Sequence, residues 1–275
     1  MTPGISTACL YPLYTEEAFK LFAEHGVEAV EVFANCAEEI SPAYINNLRL
    51  AAVEYGVKIL SLHPYTCSME PMYFFTEYRR RFFEGMEVYK RYYEAANMLG
   101  ANAVVFHGGT FEYGISYDEY FERFGRLLDD SISHGSMLCH ENVVRCKGKN
   151  SDFFRALTKA LPKAEFIFDV KQAVRAGEDV NEFAKAMAGK IRHVHFSDHD
   201  DAHSCLAPGK GNFNIPEFLK KIGADDFNGG VIVELYGENT SGIVELLDSY
   251  KHLCTQISTA LKSDETNDKI RQTIG

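Results

Sequence analysis

Eight short apolar runs, each separated from the next by a longer stretch of helical or polar character, constrain this chain more than any other feature. They are Ile5–Cys9, Ala29–Phe33, Lys58–His63, Ala103–His107, Met137–Glu141, Glu165–Asp169, His193–Phe196 and Val231–Leu235. Gly, Pro or polar residues bound them, and most are rich in Val, Ile and Phe, which suits strands. Runs that stay apolar, rather than alternating strictly with polar residues, belong to strands covered on both faces, as in parallel sheets.

The intervening segments carry helix punctuation. Thr15-Glu16-Glu17 opens a helix that ends at Gly26, and Ser41-Pro42 opens another that ends at Gly56. Pro at the first helical position and Gly just past the last are the expected asymmetry. The longest helix is predicted from Met72 to Leu99, where Phe82, Met86, Tyr89, Tyr93 and Ala96 share one face that reads as core packing. Further helices are predicted at Tyr117–His134, Ser151–Leu161, Val180–Ala188, Ile215–Ile222 and Gly242–Leu261. Eight strands alternating with helices, and no linker-like change of composition, predict a single (β/α)₈ TIM barrel over residues 1–262 with a polar tail at 263–275. A doubly wound open sheet is the alternative that alternation alone leaves standing.

Composition narrows the partners. A chain of 275 residues buries enough apolar surface to fold without disulfides or a structural metal. Lys+Arg 28 against Asp+Glu 39 leaves a net charge of −11, so the chain has no general field for nucleic acid or an anionic membrane. A small phosphorylated substrate needs only a local cradle and stays open. No apolar run approaches the roughly 18 residues of a membrane span, and the start MTPGISTACL has neither the basic residues nor the apolar core of a secretory signal. The seven Cys are odd in number, scattered and never spaced C-x-x-C, which reads as reduced thiols in a cytoplasmic protein.

The strand ends carry the chemistry. Successive runs end at His63, His107, His140-Glu141-Asn142, Asp169, His193-Val194-His195 and Glu234. In a parallel barrel these ends gather on the face where the loops build an active site. A lone strand-end His is more often a hydrogen-bonded core residue, but a carboxylate closing an apolar run is costly to bury unpaired. Glu141, Asp169 and Glu234 all close such runs, and together they would repel unless a cation sat among them or protons were taken up. With His195 they form a mostly oxygen ligand set that suits Mn²⁺, Mg²⁺, Co²⁺ or Zn²⁺ and excludes a closed thiolate site.

With these residues in view, the chain resembles the xylose isomerase-like barrels of sugar phosphate isomerases and epimerases, distant relatives of endonuclease IV. The resemblance spans nearly the whole chain and is carried by AANMLGANAVVFHGG (95–109), HEN (140–142), FDVKQA (168–173), HVHFSDHD (193–200), PGKGNFN (208–214) and VIVELYG (231–237). It implies that Glu141, Asp169, His195 and Glu234 bind one divalent cation, with no organic cofactor. Two positions depart from the pattern. Gln172 stands where a His is frequent, and Asp201 stands where epimerases of free ketohexoses tend to carry Arg.

The resulting expectation is an isomerase or epimerase of a small sugar or sugar phosphate. Glu141 and Glu234 would be the catalytic pair, moving protons through an enediolate stabilised by the cation. His63, His107, Gln172 and Lys210 are expected to bind substrate, Lys210 within a Pro-Gly-Lys-Gly turn able to cradle an anion. His63 and His107 are alternatively ligands of a second metal. Two rivals share the barrel: an endonuclease IV-like phosphodiesterase on damaged DNA, and an inosose-type dehydratase. The acidic Asp198, Asp200 and Asp201 beside the H-x-H strand weigh against a polyanionic substrate. A homo-oligomer built through the outer helices is compatible with the sequence.

Overall fold

The computed structural model describes residues 1–224 and 226–274, with side chains as far as Leu261 apart from Asp225. Its strands are β1 (Thr2–Ser6), β2 (Ala29–Phe33), β3 (Lys58–His63), β4 (Val104–Phe106), β5 (Leu138–Glu141), β6 (Glu165–Asp169), β7 (Ile191–Phe196) and β8 (Gly230–Val233). They pair in chain order, all parallel, and β8 closes the ring on β1. Among the described residues the helices are α1 (Thr15–Glu24), α2 (Pro42–Tyr55), α3 (Glu70–Phe74), α4 (Arg79–Leu99), α5 (Tyr117–Ser133), α6 (Ser151–Ala160), α7 (Val170–Arg175), α8 (Val180–Ala186), α9 (Ile215–Gly223) and α10 (Ile243–Ile274). This is a single (β/α)₈ barrel. The polar tail expected at 263–275 falls where side chains lie outside the described residues.

Three elements differ from the reading of the sequence. The first strand is Thr2–Ser6 rather than Ile5–Cys9, because Thr2 to Ile5 register against Gly230 to Val233. The Thr7 hydroxyl then accepts the Phe33 N–H, which ends the ladder. The helix predicted from Met72 to Leu99 is broken into α3 and α4. Between them Arg123 donates to the carbonyls of Phe74 and Thr76, and Phe75 stacks on Tyr120 with ring centres 4.2 Å apart. The short α7 begins directly after Asp169, whose carboxylate caps it by accepting the Gln172 N–H at 2.9 Å.

Side-chain alternation along the strands sets the two cores. Val30, Val32, Val104, Phe106, Leu138, Phe166, Phe168, Val194 and Phe196 face outward and join the large core under the helices. Their sequence neighbours face inward, where Ala103, Val105, Cys139 and Ile167 form one cluster and Ala29, Leu60 and Ile232 another. Continuing that inward period by two reaches Glu31, Glu141, Asp169, His195 and Glu234. The barrel is therefore plugged by apolar side chains below and lined by ionisable ones above. The aromatic stripe of α4 is buried as expected, with Tyr89, Tyr93 and Ala96 fully covered.

Candidate active site

Glu141 closes β5, Asp169 closes β6, His195 lies on β7 and Glu234 follows β8. One donor atom from each lies within 4.8 Å of every other. Asp169 and His195 are directly opposite in the β6–β7 register. Asn142 ties the ends of β5 and β6 together: its amide donates to the Asp169 carbonyl at 2.8 Å and accepts the Asp169 N–H at 2.7 Å. The HEN motif thus supplies one inward carboxylate and one strand-end clamp.

His195 is completely buried and both ring nitrogens meet carboxylates. Nδ1 is 2.9 Å from Glu141 Oε1 and 3.4 Å from Glu234 Oε2, while Nε2 is 2.9 Å from Glu31 Oε2. Burial lowers the affinity of this ring for a proton, but Glu234, Glu31 and Glu141 outweigh it and hold the pKa well above the ordinary histidine value. Glu31 was not anticipated. It sits in mid-strand on β2, accepts from Ser61 Oγ at 2.7 Å and Ser6 Oγ at 3.1 Å, and is lowered to a pKa of about 2, His195 overcoming the cost of burial. A carboxylate interrupting the apolar run AVEVF was the available signal, by the same reasoning that singled out carboxylates at run ends.

Lys171 was also missed. Its ammonium is buried and donates to Asp169 Oδ2 and, at 2.5 Å, to Glu234 Oε2. Burial works against this charge, yet Asp169, Glu234 and Glu141 keep the ammonium protonated well above the usual lysine range. Burial raises Asp169 to about 7, against the pull of Lys171 and with Glu141 and Glu234 adding to the rise.

His63 and His107 meet at the same mouth, their Nε2 atoms 3.2 Å apart, and His107 Nε2 is 2.8 Å from Glu141 Oε2. Cys67, on the turn after β3, brings its sulfur into a second group with these two histidines, with ligand atoms again within 4.8 Å of one another. Gln172 lines the cavity, but its Oε1 accepts the Val144 N–H at 3.0 Å and its amide faces the Tyr236 hydroxyl at 3.4 Å. The cavity itself is about 570 Å³ and is walled by His63, His107, Glu141, Asp169, Lys171 and Glu234, with Arg145, Arg175 and Tyr236 among its other lining residues.

Lys210 is not among those lining residues. The turn that carries it already holds an anion from within the chain: Asp198 accepts the N–H groups of Gly209 at 2.9 Å, Gly211 at 3.0 Å and Phe213 at 3.2 Å. The N–H groups of Gly209, Gly211 and Phe213 are thus taken by a buried carboxylate of the chain itself. The two other strand histidines are structural. His140 faces outward, with Nε2 2.7 Å from the Tyr120 hydroxyl, and burial lowers it to about 3. His193 lies deeper in the barrel, 2.7 Å from Asn102 Oδ1. Close packing at this level is shown by Gly108, at φ +85, where a Cβ would come within 1.9 Å of the Tyr120 oxygen.

A barrel with an acidic, imidazole-bearing centre at the carboxyl ends of its strands defines a class. Residues 19–254 match the family model of the xylose isomerase-like TIM barrel, and the chain belongs to that family. Its fold is similar to that of a D-tagatose 3-epimerase-like protein (TM-score 0.79, 20% identity, covering 96% of this chain and 99% of that one). It is also similar to D-psicose 3-epimerase from Clostridium cellulolyticum H10 (TM-score 0.78, 13% identity, 95% and 99% covered). A third likeness is to the IOLI protein, solved with a bound zinc atom (TM-score 0.76, 17% identity, 96% and 99% covered).

Proposed function

We propose that this protein is a divalent-metal-dependent isomerase or epimerase acting on a small sugar or sugar phosphate. The observation that carries the reading is the convergence of Glu141, Asp169, His195 and Glu234, the three carboxylates of which line a substrate-sized cavity. Three carboxylates and an imidazole fit a hard or borderline cation such as Mn²⁺, Zn²⁺, Co²⁺ or Mg²⁺. The likeness in fold to two epimerase or epimerase-like proteins and to a zinc-bound third agrees with it. Such a cation, when bound, supplies Lewis acidity to the carbonyl and adjacent hydroxyl oxygens of a hydroxyketone.

The remaining work falls to the chain's own groups. Glu141 and Glu234 come from strands on different sides of the ring and both approach His195 Nδ1, so they flank one point. One removes the proton beside the carbonyl, and the other delivers a proton to the opposite face or the adjacent carbon. Return to the same carbon inverts it; return to the neighbour exchanges aldose and ketose. His107 holds Glu141 from the second oxygen, and the ordinary carboxylate range is undercut there because His107 and His195 overcome burial. His63 and His107 stand at the cavity wall as donors to substrate hydroxyls, or with Cys67 as ligands of a second cation.

The test is a panel of free and phosphorylated ketoses incubated in D₂O with purified protein and Mn²⁺, Co²⁺, Zn²⁺ or Mg²⁺, read by mass spectrometry. Deuterium entering a carbon-bound position of any member supports the reading. Absence of exchange across the panel with all four metals rejects it.

A further inference from the structure

Lys171 stands where two of the four converging ligands meet. It follows Asp169 by two residues, at the start of α7, and only 3% of its side chain is exposed. Its ammonium bridges Asp169 Oδ2 and Glu234 Oε2, the carboxylates of β6 and of the residue after β8. A lysine ammonium is a compact point charge with three donors, and two are spent on oxygens that a divalent cation would also need. Ammonium hydrogen bonds hold oxygens at about 2.7–2.9 Å, whereas metal–oxygen bonds are about 2.0–2.2 Å. Both sets cannot be satisfied around one point, and a third positive charge in contact with a dication is strongly opposed.

The present arrangement already answers part of its own negative charge. Lys171 answers Asp169 and Glu234, and His195 lies between Glu31 and Glu141. The ammonium also has somewhere to go. It lines the cavity, and the Tyr236 ring lies 5.3 Å away, offering a face that attracts cations.

We infer that Lys171 is a built-in counter-cation competing with a divalent ion for Asp169 and Glu234, so that the centre accepts metal only as the ammonium withdraws into the cavity. This rests on the metal-centre reading above. It assigns to this chain a metal affinity that is held down by its own lysine.

Mn²⁺ binding to the full chain, stripped with chelator, tests this by calorimetry and by the loss of the free-Mn²⁺ paramagnetic signal. Lys171→Met should bind at least tenfold tighter than the unaltered chain, and Lys171→Arg, which keeps the charge, should bind no tighter. The melting temperature should rise more with Mn²⁺ for Lys171→Met than for the parent, and Lys171→Gln serves in the same assay should the Met variant not fold. Equal or weaker Mn²⁺ binding by the uncharged variants overturns the inference and leaves the metal centre intact. No binding of Mn²⁺, Co²⁺ or Zn²⁺ by any of the proteins overturns both.

Discussion

Glu31 Oε2 lies 2.9 Å from Nε2 of His195, inside the barrel and away from the cavity. This contact fixes which edge of the imidazole faces the other carboxylates. With Nε2 engaged by Glu31, Nδ1 is left toward Glu141 and Glu234. A carboxylate behind a ligating histidine sets its orientation and raises its basicity. Glu31→Gln is therefore expected to weaken Mn²⁺ binding by about 10–100-fold, as measured by calorimetric titration. Unchanged affinity would remove Glu31 from the account of the centre.

A second buried carboxyl adds a pH dependence to stability. Glu70, at the start of α3, is fully buried and accepts from the Tyr89 hydroxyl and the Gly108 N–H. Burial raises it from an ordinary value near 4.5 to about 7, against the pull of His107. Between those values the folded chain holds a proton that the unfolded chain has lost. Its contribution is thus fully present below about pH 4.5 and is lost as pH rises to about 7, with a slope of at most roughly 1.4 kcal/mol per unit. Glu70→Gln keeps both hydrogen-bond partners without ionising. Urea unfolding at several pH values should show the variant gaining on the parent across that window; parallel curves would contradict it.

The loop after β7 depends on one side chain. Asp198 is 2% exposed and accepts four backbone N–H groups, from His199, Gly209, Gly211 and Phe213. Hydrogen bonds to a charged acceptor contribute about 1.5–3 kcal/mol. Asp198→Ala should cost at least that much in denaturant unfolding. Lys210→Ala, outside the cavity lining, should leave both stability and substrate KM within twofold of the parent. A large rise in KM for Lys210→Ala would restore the turn as an anion site.

Strand ends were legible because periodicity and burial cost act locally. Six of the eight strand runs carry at their ends residues that the ring then brings together, and the register of Asp169 against His195 needs only parallel pairing. Glu31 escaped because it lies in the middle of a run, where an inward carboxylate looks like an interruption rather than a terminus. Lys171 escaped because its role depends on Glu234, 63 residues away in the chain. The Gly-Lys-Gly turn offers N–H groups to an anion in the local sequence, and only the fold delivers Asp198 to them. The break between α3 and α4 likewise needs Arg123, a residue of α5, to claim the freed carbonyls.

In the proposed function, Glu141 and Glu234 share one proton-transfer reaction. Glu141→Gln and Glu234→Gln proteins, with bound metal quantified in the same samples, should each lose net conversion of an established substrate by about 10²–10⁴-fold. Each should still exchange with D₂O the C–H that faces its remaining glutamate, so that exchange and conversion come apart. Full turnover by either variant would contradict the two-glutamate account.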